Sequence, residues 1–182
     1  AYDDIIITNN TITTDAGLDV SVCADTAVLS ADNPAPGTGY WGIVNSSGNP
    51  IFENSTSHTT IVRDLGSGPN ILVWTINNGS CSAWDVVTVT NDMPTQADAG
   101  SDQNVCDGTV ILSGNNPNVG TGEWSLILGS GIIQNPENYT TLITDLLPGT
   151  NIFRWTTKNG LCESYDEVTV NYDFIPVSAG TD

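Results

Sequence analysis

The stretch NILVWTINNGSCSAWDVVTV, from Asn70 to Val89, returns as NIFRWTTKNGLCESYDEVTV from Asn151 to Val170, with 11 of the 20 aligned positions identical. Each copy has an apolar run, an Asn-Gly pair, a cysteine and a second run with alternating valines. An Asn-Gly pair between two such runs is typical of a β-hairpin. The sequence therefore predicts the same hairpin twice.

Comparison of the two copies also indicates which side chains point inward. Trp74 is kept as Trp155, whereas the adjacent Val73 becomes Arg154. Because side chains alternate between the two faces of a strand, the conserved tryptophans face the core and the variable positions face outward. The same comparison gives the predicted core residues: Leu29, Trp41, Leu72, Trp74, Leu112, Trp124, Phe153 and Trp155.

The repeat extends over the whole chain of 182 residues. Trp41 and Trp124 are 83 residues apart, and Trp74 and Trp155 are 81 apart, so the second copy lacks two residues of an intervening loop. Self-similarity at this period predicts tandem domains. The predicted divisions are residues 1–14 as the last strand of a preceding repeat, 15–97 as repeat 1, 98–177 as repeat 2, and 178–182 as the start of a further repeat.

Within each repeat, turn signals separate seven short segments with strand character. The loops DNPAPGTG and NNPNVGTG are typical of turns, and no segment of ten residues has helical periodicity. Seven short strands at this spacing favour an antiparallel sandwich. We therefore predict an all-β chain of tandem immunoglobulin-like (PKD-like) β-sandwiches with essentially no helix.

The charge is strongly acidic, with 3 Lys+Arg against 21 Asp+Glu and a formal net charge of -18. Nucleic acids and anionic membrane surfaces need a basic patch, so both are excluded as expected partners. No apolar run reaches the roughly 18 residues of a membrane span. The composition favours an extracellular protein, and the lack of a long apolar run indicates no membrane insertion. The tandem repeats make neighbouring repeats of the same chain the expected partners.

Each repeat has one equivalent pair of cysteines, which indicates disulfides and an oxidising compartment. The favoured pairing lies within each repeat, joining Cys23 to Cys81 and Cys106 to Cys162. In a plain immunoglobulin topology, however, those positions fall at opposite ends of the sandwich, and a disulfide needs Cα atoms within about 7 Å. The alternative is a bond across the domain junction, from Cys23 to Cys162.

Four aspartates recur at the start of the repeats, Asp15 and Asp19 in the first and Asp98 and Asp102 in the second, and Asp182 continues the pattern. Carboxylates at a domain junction could bind calcium together with backbone carbonyls. The alternative, which we favour, is that Asp-Ala-Gly-x-Asp forms a turn in which aspartate accepts backbone N–H bonds. No other cofactor is expected.

No constellation of reactive side chains recurs, so no catalytic residue is predicted. His58 is the only histidine, and its equivalent in the second copy is Tyr139. The glutamates form no recurring pair for acid and base catalysis. Four aromatic residues are candidates for exposed surfaces on which sugar rings could stack: Tyr40, Tyr139, Tyr172 and Phe174.

The full pattern is AGxDxxVC, then LSxxNPxxGTGxWS, then LxPGTNxFRWTxxNGxCxxxDEVTV, and it resembles the PKD-like or immunoglobulin-like repeats of very large Bacteroidota cell-surface adhesins, including those of gliding motility. The first copy departs from it at Gly42 and at 67–69. The matching residues are Ala99, Gly100, Asp102, Cys106, Leu112, Ser113, Asn116, Pro117, Gly120, Thr121, Gly122, Trp124, Pro148, Gly149, Thr150, Trp155, Asn159, Gly160, Cys162 and Asp166.

The resemblance implies export to the cell surface and a role in adhesion or gliding. Our first hypothesis is a non-catalytic stalk of an adhesin, whose ligand-binding part lies elsewhere in the parent protein. The second hypothesis is a polysaccharide-binding accessory module of a secreted glycan-degrading enzyme. Further repeats in the parent would favour the stalk, and a catalytic domain would favour the accessory module.

Overall fold

The computed structural model describes residues 4–5 and 11–174. The chain divides into two compact units, Ala1–Asp92 and Met93–Asp182, here called the first and second domains. All the regular elements in the described residues are β-strands. In those residues, no helix is long and apolar enough to cross a membrane.

The first domain has seven strands in two sheets. They are β1 (Val20–Val22), β2 (Ala27–Ser30), β3 (Thr38–Asn45), β4 (Ile51–Phe52), β5 (Thr59–Arg63), β6 (Gly68–Asn78) and β7 (Cys81–Asn91). The long sheet has the order β1-β7-β6-β3, and the short sheet has the order β2-β5-β4. Strand β1 runs parallel to β7, and the other neighbours are antiparallel.

The second domain repeats this arrangement. Its strands are β8 (Gln103–Val105), β9 (Val110–Ser113), β10 (Thr121–Leu128), β11 (Ile132–Ile133), β12 (Thr140–Thr144), β13 (Gly149–Asn159) and β14 (Cys162–Tyr172). The long sheet is ordered β8-β14-β13-β10 and the short sheet β9-β12-β11. The predicted all-β immunoglobulin-like fold is confirmed.

The core of each domain lies between its two sheets. All eight residues predicted for the core are buried, and Trp74 and Trp155 lie at its centre with 0% and 1% of their surface exposed. The ring centroids of Trp41 and Trp74 are 5.1 Å apart, and those of the equivalent pair, Trp124 and Trp155, are 5.2 Å apart. Tilted aromatic pairs at this separation stabilise a small core beyond the area that they bury.

A glycine in the neighbouring strand makes room for each central tryptophan. A Cβ atom at Gly39 would lie 2.2 Å from the Trp74 ring, and one at Gly122 would lie 2.1 Å from the Trp155 ring. These distances are below any real van der Waals contact. The glycine of the Gly-x-Trp sequence in β3 and in β10 therefore leaves the space that the indole of the adjacent strand occupies.

The border between the domains falls at residues 92/93, five residues before the predicted border at 97/98. The reason is that the segment before Asp98 bonds to the second domain. The Thr157 hydroxyl donates to the Thr95 carbonyl at 2.5 Å, and the Ala97 N–H donates to Ser164 Oγ at 3.1 Å. Most of the predicted strand at 1–14, and all of 178–182, lie outside the described residues.

Candidate functional site

The recurring aspartates fasten the N-terminal segment of the first domain to its last strand. Asp15 accepts the N–H of Gly17 at 2.7 Å, and Asp19 accepts the N–H of Thr88, in β7, at 2.7 Å. Asp85, also in β7, accepts the N–H of Ala16 at 2.9 Å. We call these three residues the aspartate clamp: Asp19 and Asp85 bridge two parts of the chain that are 69 residues apart, and Asp15 holds the turn between them with its local bond to Gly17.

The second domain has the same clamp. Asp98 accepts the N–H of Gly100 at 2.9 Å, Asp102 accepts that of Thr169 at 2.8 Å, and Asp166 accepts that of Ala99 at 2.8 Å. These bonds are those of the turn interpretation, which is confirmed for Asp15 and Asp98. No group of three or more metal-ligating side chains occurs in residues 4–5 and 11–174. Asp182 is outside the described residues.

The disulfide pattern differs from the favoured prediction. Cys23 and Cys162 are disulfide-bonded, whereas Cys81 and Cys106 are free thiols. A bond within each repeat would leave none of the four cysteines free, so the pairing of Cys23 with Cys81 and of Cys106 with Cys162 is wrong.

The strand register gives the physical reason. Val22 pairs with Asn91, so Cys23 lies beside the C-terminal end of β7, whereas Cys81 is its first residue. The Asp92 N–H donates to the Val22 carbonyl at 2.9 Å, which confirms this position. A strand of this length separates the two cysteines by about 35 Å at roughly 3.3 Å per residue. A disulfide spans Cα atoms no more than about 7 Å apart.

The second domain has the same geometry. Val105 pairs with Tyr172 at the end of β14, so Cys106 follows at that end, while Cys162 begins the strand. Each domain therefore has one cysteine at its N-terminal pole, where the last strand begins, and one at its C-terminal pole, where the last strand ends. Cys81 and Cys162 mark the N-terminal poles, and Cys23 and Cys106 mark the C-terminal poles.

A second candidate site is the outer face of the long sheet in the first domain. Tyr40, Thr75 and Trp84 lie side by side on β3, β6 and β7. Tyr40 is 46% exposed and Trp84 is 68% exposed, and Thr75 is buried between them. The next row of the same face is Gly42, Val73 and Val86. We call these six residues the aromatic face.

The equivalent face of the second domain is charged. Arg154 donates to Glu167 at 2.7 Å, and its guanidinium lies 4.1 Å from the centre of the Tyr165 ring. Lys158 lies 3.7 Å from Glu163 in the neighbouring row. These ion pairs stand where the first domain has Val73 and Val86, and Asn77 and Ser82. The two faces share a backbone and differ in chemistry.

The aromatic residues proposed from the sequence as exposed are not gathered at one place. Tyr40 belongs to the aromatic face of the first domain. Tyr139 lines a groove of about 410 Å³ in the second domain, beside Glu123 and Glu137. Tyr172 packs partly against the core of the second domain and makes an edge contact with Phe174 at 6.2 Å.

The sequence reasoning did not select Trp84, the most exposed tryptophan of the molecule's described part. A signal was present, because Val87 and Val89 face inward and strand alternation then directs residue 84 outward. The imidazole of His58, by contrast, makes a local contact of 3.3 Å between its Nδ1 atom and the hydroxyl of the adjacent Thr59.

No family model matches the sequence, and no curated protein matches it. Solved structures do match the fold. Extracellular domains 3–5 of Drosophila OTK align with a TM-score of 0.53 and 14% identity, over 88% of this chain and 59% of that one. The insect immune protein hemolin aligns with a TM-score of 0.54 and 12% identity, over 87% of this chain and 46% of that one. The chain thus spans about half the length of these structures.

At these identities the likeness concerns the fold alone. The match adds independent support for an immunoglobulin-like architecture in tandem, which the strand topology already gives.

Proposed function

We propose that this chain is a non-catalytic stalk segment of a large secreted cell-surface adhesin that serves surface adhesion and gliding motility. The fold supports the repeat module, and the resemblance of the sequence to Bacteroidota adhesin repeats supports the finer role. Each module contributes length and stiffness, and the adhesive ligand binds elsewhere in the parent protein. Disulfide bonding favours an extracellular location, since disulfides persist in oxidising compartments.

The observation that carries the proposal is the position of the cysteines. Each domain has one at the N-terminal pole and one at the C-terminal pole. A disulfide that served only the stability of a single domain would join two residues of that domain. Cysteines at both poles instead suit a repeat that is covalently joined to the preceding and following repeats. Such bonds would hold a stalk together when it is pulled.

This reasoning assigns partners to the two free thiols. In a stalk, Cys81 bonds the C-terminal cysteine of a preceding repeat, and Cys106 bonds the N-terminal cysteine of a following repeat. Cys106 is exposed and Cys81 is partly buried, so both thiols remain near the surface. In the isolated protein, a second copy of the chain can supply the same two cysteines.

Mild oxidation of the purified protein tests this proposal. We expect a ladder of head-to-tail oligomers on non-reducing gels, with Cys81 linked to Cys106 in the peptide map. C81S and C106S proteins should each remain monomeric, because each lacks one of the two thiols of the link, and a mixture of the two should form the mixed Cys81–Cys106 dimer. Cys81–Cys81 and Cys106–Cys106 links that together are as abundant as the mixed link would show random oxidation and would contradict the proposal.

A further inference from the structure

The aromatic face of the first domain has the properties of a binding surface. Two large aromatic side chains and Val86 are exposed together on one side of a sheet, with Trp84 68% and Val86 39% exposed, and the partly buried Val73 lies beside them. Exposed apolar residues are common singly, but a contiguous patch with a polar border marks a ligand site. The border here is the adjacent row of Thr38, Asn77 and Ser82.

The second domain shows that the fold does not need this patch. At the positions of Val73 and Val86 it has Arg154 and Glu167, which form an ion pair, and at the position of Tyr40 it has Glu123. Both domains keep the same strand register and the inward tryptophan, Trp74 or Trp155. The apolar outer surface is thus a property of the first domain and is not required for sandwich packing.

The spacing of the aromatic residues favours an extended, flat ligand. Tyr40 and Trp84 are in register on strands that flank β6, so their backbones lie about 10 Å apart at roughly 4.8 Å per strand. Thr75, between Tyr40 and Trp84, and Gly42, beside them, have small side chains that project little from the sheet surface. Sugar rings present a face of C–H groups to an aromatic ring and hydroxyls at their edges. The aromatic rings can pack against the C–H faces, and the side chains of Thr38, Asn77 and Ser82 can form hydrogen bonds with the hydroxyls.

The charge of the protein restricts the class of ligand further. Arg63 is the only basic residue of the first 92, and it pairs with Glu53 on the short sheet. The aromatic face therefore has no cation to offer to a carboxylate or sulfate. A second copy of the chain would bring a further net charge of -18, which opposes self-association. A neutral ligand needs no cation on the aromatic face and is not repelled by the negative charge of the protein.

We propose that the aromatic face binds a neutral, extended polysaccharide, with sugar rings packed on Trp84 and Tyr40 and hydroxyl groups bonded by Thr38, Asn77 and Ser82. This site does not use the cysteines of the stalk role, because its aromatic residues lie on the outer face of β3 and β7, although Ser82 at its border directly follows Cys81. The first domain is then a sugar-binding repeat, and the second domain is not.

Tryptophan fluorescence gives a direct readout. Of the five tryptophans, Trp41, Trp74, Trp124 and Trp155 are buried, so Trp84 dominates any response to a ligand at the surface. The probes are soluble β-glucan, xylan, mannan and chitin oligosaccharides, with alginate as the acidic comparison. We expect a saturable blue shift with at least one neutral probe and no response to alginate.

Variants locate the site. W84A and Y40A should each weaken binding about 30-fold, the size of a central aromatic contact. Y165A, at the equivalent position of the second domain, is the matched control and should leave the affinity unchanged. All variants should keep the wild-type melting temperature to within a few degrees, since the side chains are exposed.

Exchange of the two faces provides a second test. The first domain with Y40E, V73R, W84Y and V86E carries the outer residues of the second domain, which are compatible with this backbone, and should lose binding while remaining folded. Conversely, E123Y, R154V, Y165W and E167V in the second domain, together with K158N and E163S for the polar row, should add a second binding site per chain. Gain of function cannot result from misfolding.

Three outcomes would overturn the inference. One is the absence of a fluorescence response to every neutral probe. Another is equal binding of alginate, which would assign the site to acidic polymers. The third is dimerisation in sedimentation velocity that disappears in W84A, which would make a second copy the occupant of the face. Failure here leaves the cysteine-linked stalk untouched, because oxidation and sugar binding are measured separately.

Discussion

At the scale of single residues, a buried asparagine closes the C-terminal pole of each domain. Asn70 is fully buried, and its side-chain amide donates to the carbonyls of Gly66, Gly68 and Val89 at 2.9 to 3.1 Å. Its oxygen accepts the Gly66 N–H at 3.0 Å. Asn151 holds the equivalent carbonyls in the second domain. One side chain thus satisfies a loop whose backbone would otherwise be buried without partners.

We predict that N70A lowers the free energy of unfolding of the first domain by about 2 to 3 kcal/mol, because it leaves several backbone groups without a hydrogen bond. Urea denaturation followed by tryptophan fluorescence measures the change. N49A removes an exposed asparagine of the same domain and serves as the control, with a change below about 0.5 kcal/mol. Equal loss in both variants would contradict the assigned role.

At the scale of elements, comparison of the two copies predicted most of what the structure contains. The eight residues selected for the core because both copies keep them apolar are buried, and positions that change polarity, such as Val73 and Arg154, face outward. Some positions that are apolar in both copies, such as Val28 and Ile111, are nevertheless exposed. The disulfide pattern was not predictable in this way. It depends on the parallel pairing of β1 with the far end of β7, which is a non-local register that no local turn signal specifies.

The same limit applies to the candidate sites. The sequence identified the recurring aspartates but not the N–H groups that they bind, because Asp85 reaches Ala16 across 69 residues. It identified Tyr40 but not its neighbour Trp84, since the two meet only through the pairing of β3, β6 and β7. Inward positions follow from alternation along one strand, whereas sites depend on which strands are adjacent.

The aspartate clamp leads to a prediction for the N-terminal segment. D85A should destabilise the first domain by about 1.5 to 2 kcal/mol, because it removes a charged acceptor from a partly buried backbone N–H. D85N keeps an oxygen at the same place and should lose less. D166A should have the same effect on the second domain. Thermal unfolding detects all three.

Calcium should not change these results. The clamp carboxylates accept backbone N–H groups, so we expect the same melting temperature in calcium and in chelator for the wild-type protein. A clear rise with calcium, lost in D15A or D98A, would show that the carboxylates bind metal and would refute the assignment of the clamp as a purely backbone-bonded turn.

At the scale of the whole molecule, the two domains are equivalent in fold and different in cysteine state. We predict that alkylation of the native protein without reductant labels Cys81 and Cys106, and that Cys23 and Cys162 are labelled only after reduction. Peptide mass spectrometry reads the four sites separately. Labelling of Cys23 without reductant, or protection of Cys81, would contradict the observed pattern.

The alternation of side chains along β3, β6 and β7 has a consequence for how such proteins diversify. Codons for the packed interior and codons for the exposed surface are interleaved, one after the other, within the same strand. A substitution at an outward codon alters what the repeat can recognise and leaves its neighbours in the interior unchanged. The Val73 and Arg154 pair shows that this has happened here. A duplicated gene segment can therefore explore new ligands one surface position at a time while its scaffold persists.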